Sequence, residues 1–566
     1  MEEMYAQLPV DTETVREFTK LLRRYKAGKA RTESRIIESE NWWKLRNGSD
    51  GTGGDFYSRS GWLHNVIVSK HADAMDAFPE PVILPREVGD REQARMLSAI
   101  LPCVLEHNHF EEVFSDVMWQ KLKTGTGVYK VVWDPAALGG LGDIAICRVD
   151  LLNLYWEPGI TDIQKSRCLF HTELWDKALL EQQYPQLKEQ PANSFVSAKF
   201  LYDDAVSTED KVTVIEVYYR DQGKLHYCRF AGEQLLYATQ NDPALAESGL
   251  YTHGLYPYVF DTLFPIEGSP CGYGFVDLCR NPQTEIDLLK TAFLRNARSG
   301  ALPRFFSRVD GNINEEEFLD LSKTVVHVAG NVDEASIRRI EHNSLDGNYL
   351  GMLDRTIQEL RQTSGNTETS TGTANRGVTA AAAINALQTA SGKGSRDATG
   401  SAYRAYSRIM ELCIELIRQF YTLPRQFRIV GAEGQETFIS YTNAGLQPQD
   451  QGQAFGADLG MRLPVFDIRV SAQRHTAFAK ATQNELALQL YKLGVFDPAR
   501  AQQALACLEM MDFDGKERLV QQVRQQAQRA NDHRATLELA VELSRTAAPQ
   551  MTKGLELALQ KLGGQP

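Results

Sequence analysis

The chain has 566 residues, 43% hydrophobic and 24% charged, with a formal net charge of −12 at pH 7. That composition excludes a disordered chain and allows several cores, and no apolar run reaches the roughly 18 residues of a membrane span. The acidic balance argues against a protein whose main work is gripping DNA, since such affinity comes from neutralising phosphates, but not against one that DNA slides past.

The N-terminal MEEMYAQLPVDTETV lacks the basic-then-apolar order of a secretory signal. The eight cysteines are scattered without a CxxC pair, which predicts reduced thiols and neither a disulfide scaffold nor a zinc ribbon. Residues 14–45 predict one or two helices, with Val15, Phe18, Leu22, Tyr25, Ile36, Ile37, Trp42 and Trp43 on apolar faces. Between them stand Arg23, Arg24, Lys26, Lys29, Arg31 and Arg35, read as a solvated face, with an anion or subunit contact as the alternative. Residues 47–54, NGSDGTGG, are a loop without the lysine of a phosphate-binding loop. A helix over 62–78 is ended by Pro79, Pro81 and Pro85. Two helices follow over 91–123, interrupted near Pro102 and Asn108.

Gly125-Thr126-Gly127 turns the chain into a strand over 128–134, and a loop, PAALGGLG, leads to another over 143–149. CLFHTEL is strand-like and is followed by a short helix to Tyr184. Strands over 212–220 and 224–230 flank Asp221-Gln222-Gly223, a second hairpin. Asn281 and Pro282 predict the start of a helix carrying Ile286, Leu289, Phe293 and Ala297 on one face and stopping at Gly300 and Pro303. Short strands over 304–308, 324–328 and 336–340 separate it from a second helix of similar length over 345–361.

The second rod delivers the chain into a small, polar run, Thr363 to Arg376, which buries little and predicts a loop. From Thr379 the composition flips to AAAAINAL, and an apolar pattern resumes at Tyr403, Tyr406, Met410, Cys413, Ile417 and Tyr421 before Leu423-Pro424 ends it. The glycines at Gly392, Gly394 and Gly400 are where such a helix, about 60 Å for about 40 residues, should bend. Strands over 427–430, 437–441 and 464–470 follow. The last 90 or so residues predict helices over 476–493, from Asp497-Pro498 to Met511, and over 514–547, the last with a thin seam of Leu519, Val523, Leu537, Leu539 and Val541.

The motifs of catalysis are missing. There is no HExxH, GxSxG, GxxxxGK[ST] or DFG-like set. Gly392-Lys393-Gly394-Ser395 lacks the upstream glycine and the preceding strand of a Walker motif. His107 and His109, beside Asn108 and Glu106, are a conceivable metal pair, but nothing adds ligands at useful spacing, so satisfied polar histidines are the reading. The chain reads as a non-enzyme without metal or cofactor.

Four stretches together resemble the portal proteins of tailed bacteriophages: GTGVYKVVWDP (125–135), DLLNLYWEPGITDIQKSR (150–167), GYGFVDLCRNPQTEIDLLKTAFLRNARSGALP (272–303) and, the most specific, GNTETSTGTANRGVTAAAAINALQTASGKGSRDATGSAYRAY (365–406). The likeness covers roughly residues 30–475; the last 90 share only the composition of a helical crown. The resemblance implies an α+β portal fold assembled as a ring, usually of twelve, around a channel at one capsid vertex. DNA enters through it, driven by the terminase large subunit, and leaves on infection. Residues 1–270 and 424–475 would be the wing, 271–300 and 345–362 the stem helices, 301–344 the clip, 363–378 the tunnel loop, 379–423 the kinked helix and 476–566 the crown.

The same resemblance implies DNA-channel residues Thr367, Thr369, Ser370, Thr371, Thr373, Asn375 and Arg376. It implies terminase or head–tail adaptor docking through Arg304, Arg308, Arg338 and Arg339, and contact with major capsid and scaffolding proteins. Assembly would take place in the bacterial host cytoplasm, with the product in the virion and no membrane involved. A channel should not grip what it passes, and in the loop only Arg376 is basic, Lys393 and Arg396 coming later. Arg376 is read either as a DNA contact or as a loop anchor. Another phage structural protein, an adaptor or scaffold, is the alternative; a packaging enzyme would need a phosphate-binding loop that is not there.

Overall fold

The computed structural model describes residues 9–46, 57–185, 210–301, 305–307, 314–320, 325, 327, 337–339, 347–366, 393–430, 436–450, 453–454, 457–458, 460–474, 489–490, 492, 501–510, 516–547 and 549–563. The chain divides into two compact units, Met1–Gln473 and Arg474–Pro566.

The first unit opens with α1, Thr12–Trp43, a single helix of 32 residues. Asp11 caps it, its carboxylate accepting from the Thr14 N–H at 2.9 Å. Val15, Phe18, Leu22 and Tyr25 are buried. They lie against a five-stranded antiparallel sheet in which β1 (Leu154–Trp156), β2 (Cys168–Asp176), β3 (Lys211–Asp221), β4 (Lys224–Ala231) and β5 (Gln234–Ala238) are neighbours in chain order. Phe18 and Tyr25 both meet Phe170 edge-on, at centroid distances of 6.4 and 5.6 Å. The β3–β4 hairpin turns on Gln222 and Gly223, both at positive φ (49° and 78°), the left-handed pair that matches the strand twist.

The expected solvated face of α1 holds only in part. Arg23, Arg24 and Arg31 are exposed, but Lys29 is buried and donates to the Leu151 and Leu154 carbonyls. Arg35 reaches the Gly272 carbonyl at 2.6 Å.

Helix α2 spans Trp62–Met75, and the chain then leaves helix earlier than predicted. Ala77–Pro85, with its three prolines, is strand β6, paired with β7, Phe466–Arg474, in a two-stranded sheet. A two-stranded sheet is all edge, so prolines without N–H donors are tolerated there. Helix α3, Arg91–His107, runs through Pro102 instead of breaking at it; the residue is exposed, so the Ser98 carbonyl it fails to bond can meet water. The break falls at Asn108 and His109, the latter at φ 48°. Helix α4, Phe110–Thr124, follows and ends on Gly125 at φ 89°.

Two sequence motifs meet at that point. A Cβ on Gly125 would lie 2.3 Å from the Tyr273 carbonyl carbon, and one on Gly274 would lie 2.4 Å from the Lys123 carbonyl oxygen. The backbone crossing therefore needs glycine on both sides. The Thr126 hydroxyl, fully buried, accepts from the Gly272 N–H at 2.9 Å. Strand β8, Thr126–Asp134, starts here, between β9, Asp143–Arg148, and β10, Tyr258–Thr262, in an antiparallel sheet.

The crossing also roots α5, Phe275–Ala301, which begins two turns before the predicted Asn281 cap. Asp277 supplies the start, its carboxylate accepting from the Gly274 N–H at 3.2 Å. Residues 58–63 run beside α5 and satisfy a polar stripe on it. Gln283 Oε1 accepts from the Leu63 N–H (3.0 Å), Asp287 Oδ1 from the Ser60 N–H (2.8 Å) and the Thr291 hydroxyl from the Ser58 N–H (2.9 Å). Helix α6, Asn348–Ser364, packs on α5 through Leu353, Ile357 and Leu360. The two rods are unequal, 27 and 17 residues.

Between the rods, Phe305–Ser307 pairs antiparallel with Ile337–Arg339, so that Phe306 faces Arg338 and Phe305 faces Arg339. An unpredicted five-residue helix, Glu315–Leu319, lies in the same stretch. Of the strand expected over 324–328, residues 325 and 327 are described and neither is in a strand.

Helix α7, Lys393–Phe420, carries the predicted apolar face: Tyr406, Met410, Cys413 and Ile417 are buried in the principal core, with Tyr421 just beyond. Strands Arg425–Val430 and Glu436–Tyr441 pair behind it. In the second unit, helices α8 (Ala501–Met510), α9 (Lys516–Ala547) and α10 (Pro549–Gly563) follow. Leu490, Ala504, Leu508 and Val523 form a core there. Leu539 leaves the expected seam and is 59% exposed, because two residues from Leu537 and Val541 turn it to the far side of a helix. The helix expected over 476–493 lies almost wholly outside the described residues.

Candidate functional site

The polar loop predicted after the second rod, with Thr367, Thr369, Ser370, Thr371, Thr373, Asn375 and Arg376, lies outside the described residues, as do Gly392, Arg304 and Arg308. Its two feet, Asn366 and the first turn of α7, are described. Gly394 and Gly400 both lie inside α7.

The first foot is a helix ending. Gly365 is left-handed (φ 67°); its N–H bonds to the Gln362 carbonyl at 3.1 Å and the Asn366 N–H to the Arg361 carbonyl at 3.0 Å. These paired reverse bonds are a Schellman ending, which stops α6 and sets the exit direction of the chain. Asn366 is buried, and its Oδ1 accepts from the Ser69 hydroxyl at 3.2 Å.

The second foot is fastened to the same helix. Lys70 Nζ donates to the Ser395 hydroxyl at 3.0 Å, and that hydroxyl donates to Asp73 Oδ2 at 2.6 Å. Lys70 is 3% exposed; burial lowers its pKa, and Asp73 opposes that shift. Ser69, Lys70 and Asp73 on α2 thus hold residues on both sides of the 367–392 segment. One turn further along α7, Lys121 Nζ donates to the Ala398 carbonyl at 2.8 Å and lies 2.7 Å from Asp261 Oδ1. Both side chains of that ion pair are fully buried. Burial lowers the Lys121 pKa and Asp261 opposes the shift; Asp261 Oδ2 has no hydrogen-bond partner. Farther on, the Tyr403 hydroxyl donates to the Ala77 carbonyl at 2.9 Å, and the Tyr421 hydroxyl to Asp143 at 2.8 Å.

Chemically, the described residues of this site hold a chain segment in place. Sequence reasoning missed its anchors, although a signal existed. Lys70 falls in the apolar stripe of Leu63, Val66, Ile67 and Ala74, and Lys121 in that of Phe114, Val117, Met118 and Leu122. A lysine spaced as a core residue needs a buried acceptor.

The histidines near the α3–α4 junction do not converge. His107 Nδ1 lies 3.9 Å from Asp143, while His109 is exposed. Asn108 between them acts as a staple, donating to the Val104 and Ile144 carbonyls (2.8 and 2.9 Å) and accepting from the Ile146 N–H (2.7 Å). A group with metal-ligand chemistry that the sequence did not suggest is His171, Glu173 and Glu216 on β2 and β3. Glu216 there already accepts from Lys130 (2.6 Å), Arg229 (2.7 Å) and the Tyr227 hydroxyl (2.7 Å). Burial raises its pKa, but Lys130, His171 and Arg229 prevail and hold it well below the usual carboxylate range. Its charge is balanced by Lys130 and Arg229, so the group does not fit a divalent cation. No helix among the described residues is long and apolar enough to cross a membrane.

A family model described as "Phage P22-like portal protein" matches residues 75–565. The match takes in the C-terminal helices, for which the sequence offered only a compositional likeness. No curated protein matches the chain.

Proposed function

The chain belongs to the P22-like phage portal protein family, a structural family of the phage virion, and on that premise we propose that it forms the channel ring at the unique capsid vertex. Twelve subunits close head to tail around an axis. The terminase large subunit drives double-stranded DNA inward through the hole, and the same path serves ejection. The family match over residues 75–565 carries this reading.

Three features support its parts. The rods α5 and α6 leave Leu288, Leu294, Tyr349, Leu350 and Met352 between 40% and 55% exposed; a repeated lateral contact between neighbouring stems would cover them. Leu319 and Val325, between the rods, are 75% and 63% exposed. That stretch, with Arg304, Arg308, Arg338 and Arg339, is the proposed clip that docks the terminase and later the head–tail adaptor, while the wing meets capsid and scaffolding proteins. Residues 363–378 are the proposed tunnel loop, in a stretch of chain that α2 holds at both feet. Thr367, Thr369, Ser370, Thr371, Thr373, Asn375 and Arg376 touch the passing duplex without gripping it, and the helix behind the loop bends at Gly392, Gly394 or Gly400.

Deletion of residues 367–376 tests the loop assignment. It spares both feet, so ring assembly should persist while packaging in a terminase-driven DNA uptake assay, or retention of packaged DNA, falls. Unchanged packaging and retention in the deleted protein would refute the assignment.

A further inference from the structure

A groove of about 720 Å³ opens between β6, α3, the start of α4 and Tyr406 of α7. Its lining carries four glutamates, Glu80, Glu106, Glu111 and Glu112, beside proline surface such as Pro81. Glu106, Glu111 and Glu112 are exposed, and none of the three forms an ion pair with another described residue. Tyr406 is 1% exposed and its buried hydroxyl has no hydrogen-bond partner. Carboxylates around an orphaned hydroxyl, with apolar walls, suit the long stem and charged head of arginine or lysine.

The chain carries a matching surface elsewhere. On α1, Lys20, Arg24 and Arg31 recur at i, i+4 and i+11, with Arg23 at the edge of the row, and all four are exposed. The row lies on the side of the helix opposite Phe18, Leu22 and Tyr25 and spans about 16 Å. Lys20, Arg23 and Arg31 form no ion pair with a described residue. The two surfaces sit over different cores: α1 packs on the five-stranded sheet, the groove on the cluster around Phe110 and Tyr406. Two complementary patches at separate places on one chain are what a head-to-tail contact needs, whereas a two-fold contact uses one patch that complements itself.

We propose that the acidic groove of one copy receives the basic row of α1 from the next copy around the ring. This rests on the ring reading above. It makes the wing, as well as the stem, a site of subunit recognition, and it makes assembly sensitive to salt.

The test uses the full-length protein and its assembly measured by native mass spectrometry over a concentration series. Three variants are compared with the parent: E106K/E111K/E112K, R23E/R24E/R31E, and the two sets combined. All the altered side chains are exposed, and a thermal melt confirms that each variant is folded. Each charge-reversed set should raise the concentration needed for half assembly at least tenfold, and the combined variant should recover most of that loss. Parent rings with unaffected variants would overturn the groove contact and leave the ring reading standing. Failure of the combined variant to recover, or two-fold dimers in place of rings, would also overturn it. A parent that stays monomeric at every concentration would remove the ring reading itself.

Discussion

Lys121 is the most exacting place to test how α7 is held. Its ammonium lies 2.7 Å from Asp261 and 2.8 Å from the Ala398 carbonyl, with both side chains of the ion pair fully buried. Lys121→Met keeps the volume and removes the charge, so the Asp261 carboxylate is left buried and uncompensated. Breaking one side of such a pair costs about 3–5 kcal/mol. The Ala398 carbonyl also loses its donor, a penalty of about 1–3 kcal/mol for a buried acceptor. Removing the carboxylate as well, in Lys121→Met/Asp261→Leu, abolishes the first cost and keeps the second. The double variant should therefore be more stable than the single one, by about 2 kcal/mol or more. Urea unfolding of the parent, both singles and the double gives the coupling directly. A single variant within 1 kcal/mol of the parent, or a double that merely adds the two losses, would refute a buried, mutually dependent pair.

Two further perturbations address the same region. Ser395→Ala removes both the acceptor of Lys70 and the donor to Asp73; hydrogen bonds to charged groups are worth about 1.5–3 kcal/mol, so amide hydrogen exchange in the first two turns of α7 should quicken by tenfold or more, and unchanged exchange would show that the clamp holds nothing. Cys279 is buried, which pushes its thiol up to about 12, with Lys70 opposing. Below pH 9 it is protonated in both folded and unfolded chains and contributes no pH dependence. Above pH 9 only the unfolded chain loses the proton, so stability falls by about 1.4 kcal/mol per pH unit until the folded thiol also ionises. Cys279→Ala should lack that component, giving a shallower decline of urea midpoints between pH 8 and 10.5 under reducing conditions; parallel curves would count against it.

Periodicity made much of this fold legible. Val15, Phe18, Leu22, Tyr25, Ile36 and Trp42 of α1 and the apolar positions from Tyr406 to Tyr421 are buried as their spacing requires, with Ile37 and Trp43 only half-buried, and Asp221-Gln222-Gly223 turns as a hairpin. Local punctuation misled where tertiary context prevailed. Three prolines ended a predicted helix yet belong to a strand with no inner neighbour to offend, and Pro102 sits on the wet side of α3. Asn281-Pro282 looked like a helix start, but the backbone crossing at Gly125 and Gly274 had already launched α5. The loop anchors were illegible for another reason. Lys70 and Ser395 are 325 residues apart, Ser69 and Asn366 297, and no spacing rule spans such distances. What the sequence did carry was the oddity of lysines in apolar stripes, at positions 29, 70 and 121, each of which is buried on an oxygen acceptor.

Cryo-EM reconstruction of the purified full-length protein is the decisive test of a ring with a polar loop at its axis. A closed assembly of twelve 63.5 kDa subunits is expected, with residues 367–378 facing a central hole. A monomer, or a ring in which that segment faces away from the hole, would contradict it.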